Sequence, residues 1–410
     1  MAGRNLKLGA SAIYDLNSIG YPEYQRGLGT ELAEPKNLKQ VNVDQTETDE
    51  NFFGKLQWSA LNGGAAANTD TGVNQFMTML GNVFEVTNIG TQTAYIGAQT
   101  ANGWNFAGDA SNNEGFAITQ GITQYYAKHS YVAGTDEKFY FETKIKISDV
   151  SETDTCVIGF RKAEAHQADY NDYDEMCAVN VDSGDVKIST ILNNGATANA
   201  DTLLNVADTN FIRVKMQYDT AVGLSSAIAL ANSLKATYTI HIANTAQHTT
   251  AADTVNVITK ADAINLATLK DLVGDLLTQY DAHEGDSELG AAWAYHEAQE
   301  TGDASLVSAV APTTLTQCIT RLNDLKAKFK IHDDDATSHG VTSQYPVSVD
   351  FASAMTFAFG INTDVLTTYT NAVAGFAFDD AEVVVPFIQF QRNGTGALTM
   401  ELMNWKVGQV

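Results

Sequence analysis

Basic residues are scarce in this chain. Across 410 residues, 24 Lys and Arg stand against 49 Asp and Glu, a net charge of -25. A phosphate-binding groove needs cations to displace counterions, so this balance excludes nucleic acid as a partner and argues equally against an anionic membrane surface. An acidic excess keeps a chain soluble and self-repelling, and it invites cations. No run of eighteen apolar residues exists, so no membrane-crossing helix is expected. Met1-Ala2-Gly3-Arg4-Asn5 leads into no apolar core segment, which predicts no export signal and folding in a reducing cytoplasm. Cysteines number 3, too few for a disulfide framework. Cys156, Cys177 and Cys318 fall on apolar faces and read as small buried hydrophobes; a Cys156–Cys177 bridge between neighbouring strands is not required. Gly-x-Ser-x-Gly, P-loop and dinucleotide fingerprints are also absent.

What is present divides into textures, and the length suits two or three domains. Residues 1–50 carry few periodic apolar positions, with Pro22 and Pro35 as breaks. They read as an extended arm lying on a neighbour, or as a loose terminus. From 51 to 240 the texture is β. Phe139 to Ile147 alternates apolar with polar, Cys156 to Phe160 is a shorter buried run, and Phe211 to Tyr218 alternates again. Ala178–Val181 and Val186–Ile188 flank Asp182-Ser183-Gly184-Asp185, a hairpin signal. The β texture returns in 341–410, with strands expected at Val347–Phe351, Thr356–Ile361, Val383–Phe390 and Leu398–Trp405. A sheet that is interrupted and then resumed predicts a β-sandwich carrying an insertion at 241–340.

That insertion holds a duplication. Residues 257–283 align with 306–332 at an offset of 49 without a gap. Leu266, Leu269, Val273, Leu276, Tyr280 and His283 fall on Leu315, Cys318, Leu322, Leu325, Phe329 and His332. The spacing 3, 4, 3, 4, 3 is one stripe of a helix that buries a seam. The pattern predicts two amphipathic helices whose interface residues are Leu266, Leu269, Val273, Leu276, Leu315, Leu322, Leu325 and Phe329. It does not choose between a hairpin within the chain and a bundle between subunits.

Six of the 8 histidines sit in this scheme as pairs: His241 with His248, His283 with His296, His332 with His339. On one reading they converge as metal ligands, helped by Asp281, Glu284, Asp286, Asp333, Asp334 and Asp335, a donor mix suited to Zn or a similar divalent ion. On the other, His283 and His332 end helices and interact with the last carbonyls and the macrodipole. No zinc spacing signature is matched, and His296-Glu297 lacks the second histidine of H-E-x-x-H. A second candidate cation site is the acidic run around Asp169, Asp172 and Asp174, although a solvated loop explains it as well. As a glycan-cleaving site the run fails, because Glu175 breaks the alternation needed to keep three carboxylates on one strand face.

Several segments resemble a known family. His248 through His283, with Ala252-Asp253-Thr254, Ala261-Asp262-Ala263, Leu266-Ala267-Thr268-Leu269 and Tyr280-Asp281-Ala282-His283, resembles a helical repeat of tailed-bacteriophage structural proteins. Asn323 to Phe329, followed by His332 and His339, resembles the same repeat again. The β portion is similar to concanavalin A-like jelly-roll modules of phage particles, through Phe139–Ile147, Ile158–Arg161, Val384–Phe387 and Leu402–Val407. The resemblance covers 120–410 and implies a mainly β jelly roll with an inserted helical hairpin or bundle. It implies a non-enzymatic virion protein, a capsid decoration or cement protein or a head-fibre part. Its partners would be other capsid proteins and copies of itself, as a trimer, with no catalytic residues transferred and no cofactor beyond a divalent metal. The alternative is a lectin-like carbohydrate-binding module for host attachment, with Trp104, Tyr125 and Tyr126 as platform candidates and a glycan as partner.

Overall fold

The turn Asp182-Ser183-Gly184-Asp185 shows how locally the β region is specified. Asp182 pairs with Asp185, and both central residues are left-handed, with φ of 50° at Ser183 and 89° at Gly184. That is the two-residue turn whose twist matches its flanking strands. In this computed structural model, the described residues are 130–151, 153–245, 248, 252–288, 296, 302–339, 345–369, 375–392 and 399–409. Segments 41–44, 57–59, 75–79, 82–90, 99–100, 103–107 and 113–119 are described as well. Most of the arm expected at 1–50, together with Tyr125 and Tyr126, lies outside them, as does the side chain of Trp104.

The described residues form two antiparallel sheets and a separate helical unit. The first sheet runs, in spatial order, through Thr367–Tyr369, Met355–Ile361, Phe211–Asp219, Lys138–Ile147, Thr399–Gln409, Gly103–Ala107 and Gln99–Thr100, with Val41–Asp44 also on Thr399–Gln409. The second runs through Ala198–Asn205, Asp185–Ile191, Met176–Asp182, Thr153–Lys162, Val383–Arg392, Gly115–Thr119, Asn82–Ile89, Gln75–Met79 and Gln57–Ser59. The alternating strands put their apolar faces between the sheets. Phe139 meets Phe160 edge-on at 5.1 Å, Phe84 meets Trp405 at 5.3 Å, and Tyr131 stacks on Phe139 at 4.7 Å. Each such pair adds about 1 kcal/mol beyond the area it buries. Cys156 and Cys177 are free and buried, four registers apart on adjacent strands, and Cys318 is also free and buried.

The fold is therefore a β-sandwich with a helical insertion. The helical unit, however, begins at Asp219 rather than 241, and takes in residues up to 355 together with 371–380. Its first helix, α1 (Thr220–Ala243), carries Thr237-Tyr238-Thr239-Ile240-His241-Ile242, which alternates like a strand. Asp219 decides the matter locally, because its carboxylate accepts from the backbone of Ala221 and Val222 and starts the helix. Two further helices follow, α2 (Leu266–Glu288) and α3 (Leu315–Asp334), the latter capped by Thr314. In chain order the unit is inserted between Phe211–Asp219 and Met355–Ile361, which are neighbours in the first sheet. Val347–Phe351, expected as a strand, has no ladder partner. Lys326 reaches the Val349 carbonyl and lies 4.4 Å over the Phe351 ring, so the segment packs against α3, bent at Val349, without pairing in a sheet. No helix among the described residues is long and apolar enough to cross a membrane.

Candidate metal centre

The duplicated stripe proves to be one part of a triplication. Counting back from a histidine by 3, 7, 10 and 14 gives Tyr238, Leu234, Ala231 and Ala227 on α1. The same steps give Tyr280, Leu276, Val273 and Leu269 on α2, and Phe329, Leu325, Leu322 and Cys318 on α3. All are buried. Leu234, Tyr238, Leu276, Tyr280, Leu325 and Phe329 close around one space between the three helices. The stripe is thus satisfied within the chain, by a three-helix seam rather than a two-helix hairpin. Leu266 and Leu315, at the helix starts, are only half-buried. The pattern Leu-x-x-x-Tyr/Phe-x-x-His, read three times, was the signal that could have located α1. Its two alanines and the strand-like alternation before His241 hid it.

The repeat also copies its polar clamps. Asn232 on α1 exchanges hydrogen bonds with the backbone of Ala263, and Asn323 on α3 does so with Ala352. On α2 the corresponding position is Gly274, whose missing side chain leaves room for Ala311.

At the end of this seam the six histidines meet, all at most 3% exposed. His241, His283 and His332 come from the helices. His248, His296 and His339 come from the segments that follow each of them. Each ring neighbours four of the other five, at centroid separations from 4.6 Å for His332–His339 to 5.8 Å for His248–His339. The non-neighbours are His241 and His296, His248 and His332, His283 and His339. Six points that each touch four and oppose one are the corners of an octahedron. The helix histidines form one triangular face and the loop histidines the opposite face. Four further groupings confirm the closeness at ligand-atom level, since the nitrogens of each of four histidine triads lie within 4.8 Å of one another.

The tautomers point the same way. His248 Nδ1 sits 3.0 Å from the Asn244 carbonyl and His339 Nδ1 3.1 Å from the Asp335 carbonyl, so both must donate there. His283 Nδ1 donates to Asp253 at 2.8 Å, and His241 Nδ1 to Asp333 at 3.0 Å. Four rings therefore turn an acceptor Nε2 inward. The Nε2 atoms of His241 and His283 lie 3.3 Å apart, lone pair toward lone pair. The Nε2 atoms of His248 and His339 are buried with no hydrogen-bond partner.

Protons do not resolve this crowding. Burial, reinforced by the neighbouring rings, pushes His248 and His339 down to about 4, His283 to about 3 and His296 to about 2, and holds His332 well below its ordinary value. Burial alone would raise the Asp253 carboxyl. Hydrogen bonds from His283, Asn256 and Val255 outweigh it and keep the group ionised, well below the usual carboxylate range.

Among the helper carboxylates, Asp333 orients His241. Asp253, which the sequence did not single out as a ligand-orienting group, orients His283. Asp281 is exposed, and Asp334 pairs with Lys330. His283 is not a helix end, since α2 continues to Glu288. Asp169, Asp172 and Asp174 do not converge. Asp169 caps the turn at Tyr170–Asp172, Asp174 pairs with Lys162 at 2.6 Å, and Asp172 is exposed. Tyr170 and Tyr173 between them are buried, so the Asp-Tyr alternation anchors a loop with its tyrosines and leaves its acids at the surface. Among the described residues, the groupings able to hold a metal consist of histidines alone.

No known protein family and no curated protein matches the chain. Among solved structures it is similar to a protein of unknown function from Shewanella oneidensis MR-1, with 8% identity, a TM-score of 0.35, and 90% of this chain and 86% of that one covered. It is similar also to the binding domain of botulinum neurotoxin DC in complex with SialylT, with 7% identity, a TM-score of 0.31, and 84% of this chain covered. A botulinum neurotoxin type C structure, whose cell entry depends on interaction with two ganglioside molecules, matches with 7% identity, a TM-score of 0.31 and 85% coverage. The chain spans about half the length of these toxin chains, 47% and 48%.

Proposed function

We propose that this chain is a non-enzymatic structural protein whose helical unit is closed by one divalent transition-metal ion. The observation that carries the reading is the octahedron of six buried imidazole rings, four of which turn an acceptor Nε2 inward. An edge of 3.3 Å between His241 Nε2 and His283 Nε2 puts a central ion about 2.3 Å from each, by the √2 ratio of an octahedron, close to imidazole–metal bond lengths. Six nitrogens do not suit Ca²⁺ or Mg²⁺, which take oxygen. Zinc prefers four ligands, so iron, cobalt or nickel in the divalent state fits the count better. Six protein ligands leave no coordination position for water or substrate, which favours a staple over a catalyst.

The sequence resemblance supports placing this staple in a bacteriophage particle, as a capsid decoration or cement protein acting in contact with capsid proteins and further copies of itself. A metal-closed bundle suits a projection that must survive outside a cell. Elemental analysis of protein purified without added metal or affinity resin tests the staple. One equivalent of iron, cobalt or nickel per chain is expected. Metal-free protein whose melting is indifferent to added Co²⁺, Ni²⁺ and Fe²⁺ overturns it. For the virion assignment, particles from cells producing the chain should carry it at fixed stoichiometry after gradient purification, and its absence from them overturns that part.

A further inference from the structure

Away from the histidines, in the β unit, a cleft of 570 Å³ opens where the loop carrying Asp169, Tyr170 and Asn171 ends on the outer face of the second sheet. Its floor comes from three adjacent strands through Thr155, Asn180, Asp182 and Gln391. The strand register explains why they share a face. Thr155 is paired with Gln391, and Asn180 is paired with Val157, two residues on from Thr155. Asn113 closes one side, at a backbone φ of 62°.

The walls are braced before any ligand arrives. Thr197 Oγ1 donates to Asn171 Oδ1 at 2.6 Å, Asp169 accepts from the Asn171 backbone and amide, and Gln391 Nε2 donates to the Ala168 carbonyl at 3.1 Å. Asn180 is 2% exposed, and its Nδ2 reaches the Tyr170 hydroxyl at 3.4 Å. Its Oδ1 is buried with no hydrogen-bond partner. An unanswered buried acceptor costs about 1–3 kcal/mol, which is the signature of a group awaiting a donor.

We propose that this cleft binds a neutral, polyhydroxylated ligand, a saccharide of one or two rings. The lining offers side-chain amides, carboxylates and hydroxyls but no cation, which disfavours phosphate, sulfate and carboxylate ligands. Lys187, which pairs with the lining residue Asp182 at 2.9 Å, is also held by Asp185 at 3.4 Å. Amides offer a donor and an acceptor side by side, the arrangement that vicinal hydroxyls complement. The volume lies within the range of small-molecule sites. The cleft and the histidine cluster belong to different units, so the two proposals stand or fall separately.

The test is saturation-transfer NMR and calorimetry on the full, metal-replete chain with the methyl glycosides of mannose, galactose, glucose and N-acetylglucosamine, followed by a broad glycan array. At least one glycan is expected to bind with millimolar or tighter affinity. That affinity should fall tenfold or more in Asn180→Ala and in the rim variant Asn171→Ala, whose exposed position spares the sheet. Asp262→Asn, in the helical unit, should leave it unchanged. Silence across the glycosides and the array overturns the proposal, as does binding that both cleft variants retain. Calcium binding lost in Asp169→Asn, with no glycan bound, overturns it in favour of a cation site.

Discussion

The sandwich and the helical unit bury opposite kinds of interior. Between the sheets, Phe84, Phe139, Phe160 and Trp405 pack ring against ring, although the unit also buries the charged Arg161 and Arg392. In the helical unit an apolar seam of six side chains ends in six buried imidazoles. The first interior is favourable by itself, because burying apolar area needs no partner. The second is favourable only when something answers the inward lone pairs, because buried acceptors left unsatisfied cost free energy. Two units of one chain thus depend on different conditions.

The largest break in this comparison should come from removing the ion. A strong chelator is expected to unfold or loosen the helical unit while the sandwich persists, splitting a calorimetric trace into two transitions. Structural metal sites of this type contribute on the order of 10 kcal/mol to the fold they close. Loss of near-ultraviolet signal from Tyr238 and Tyr280 with retained β-sheet circular dichroism is the expected reading. A single unshifted transition contradicts it.

Acid should separate the units next. In metal-free protein the folded-state values of His248, His283, His296, His332 and His339 all lie below the ordinary 6.5. The unfolded chain therefore binds protons first, so stability is intact above about pH 6.5 and falls as pH drops toward the folded values near 4 and below. Each histidine contributes a slope of up to about 1.4 kcal/mol per pH unit. In the sandwich, His166 is likewise pushed down to about 4, by burial and then by Arg161. Over the same window that unit should show a slope near that of one proton and the helical unit that of several. Equal slopes in urea titrations at pH 7, 6 and 5 would sink the distinction.

Trp405→Ala should reverse the pattern, costing the sandwich about 3–5 kcal/mol while the helical unit keeps its ion. The readouts are the melting of each transition and the metal content, and loss of metal in this variant would tie the interiors together. Asp253→Asn is smaller. It keeps a hydrogen-bond acceptor for His283 but removes the charge, and should weaken metal affinity about 10- to 100-fold with the sandwich unaffected. Competition with a chromogenic chelator measures it. The smallest effect is expected for Asp169→Asn, within about 0.5 kcal/mol of stability and without change in bound metal.

Much of the sandwich was legible in residue order. Strands such as Lys138–Ile147 and Thr153–Lys162 carry their own alternation or apolar run, and the turn at Ser183-Gly184 carries its own geometry. Val347–Phe351 shows the limit, since alternation specifies extended backbone but a ladder needs a neighbour. The helix α1 was illegible for a related reason. Thr237 to Ile242 satisfies a strand pattern locally, and the Asp219 cap together with packing against α2 and α3 outweighs it. Within the histidine cluster, the pairing seven apart of His241 with His248 and of His332 with His339 was visible, whereas Asp253 was not, because nothing local marks it as the partner of a residue thirty positions on.

By itself, the sequence determined the acidic balance, the strand and turn chemistry and the 3-4 stripe ending in histidine, since each is a property of neighbours along the chain. Only the tertiary structure decided that three helices rather than two share that stripe and that six imidazoles form an octahedron rather than three separate pairs. It also decided that Asn180 carries an unanswered acceptor into a cleft. Those outcomes depend on distances between residues far apart along the chain, ninety-eight positions for His241 and His339 and 236 for Thr155 and Gln391, and only the folded chain sets such distances.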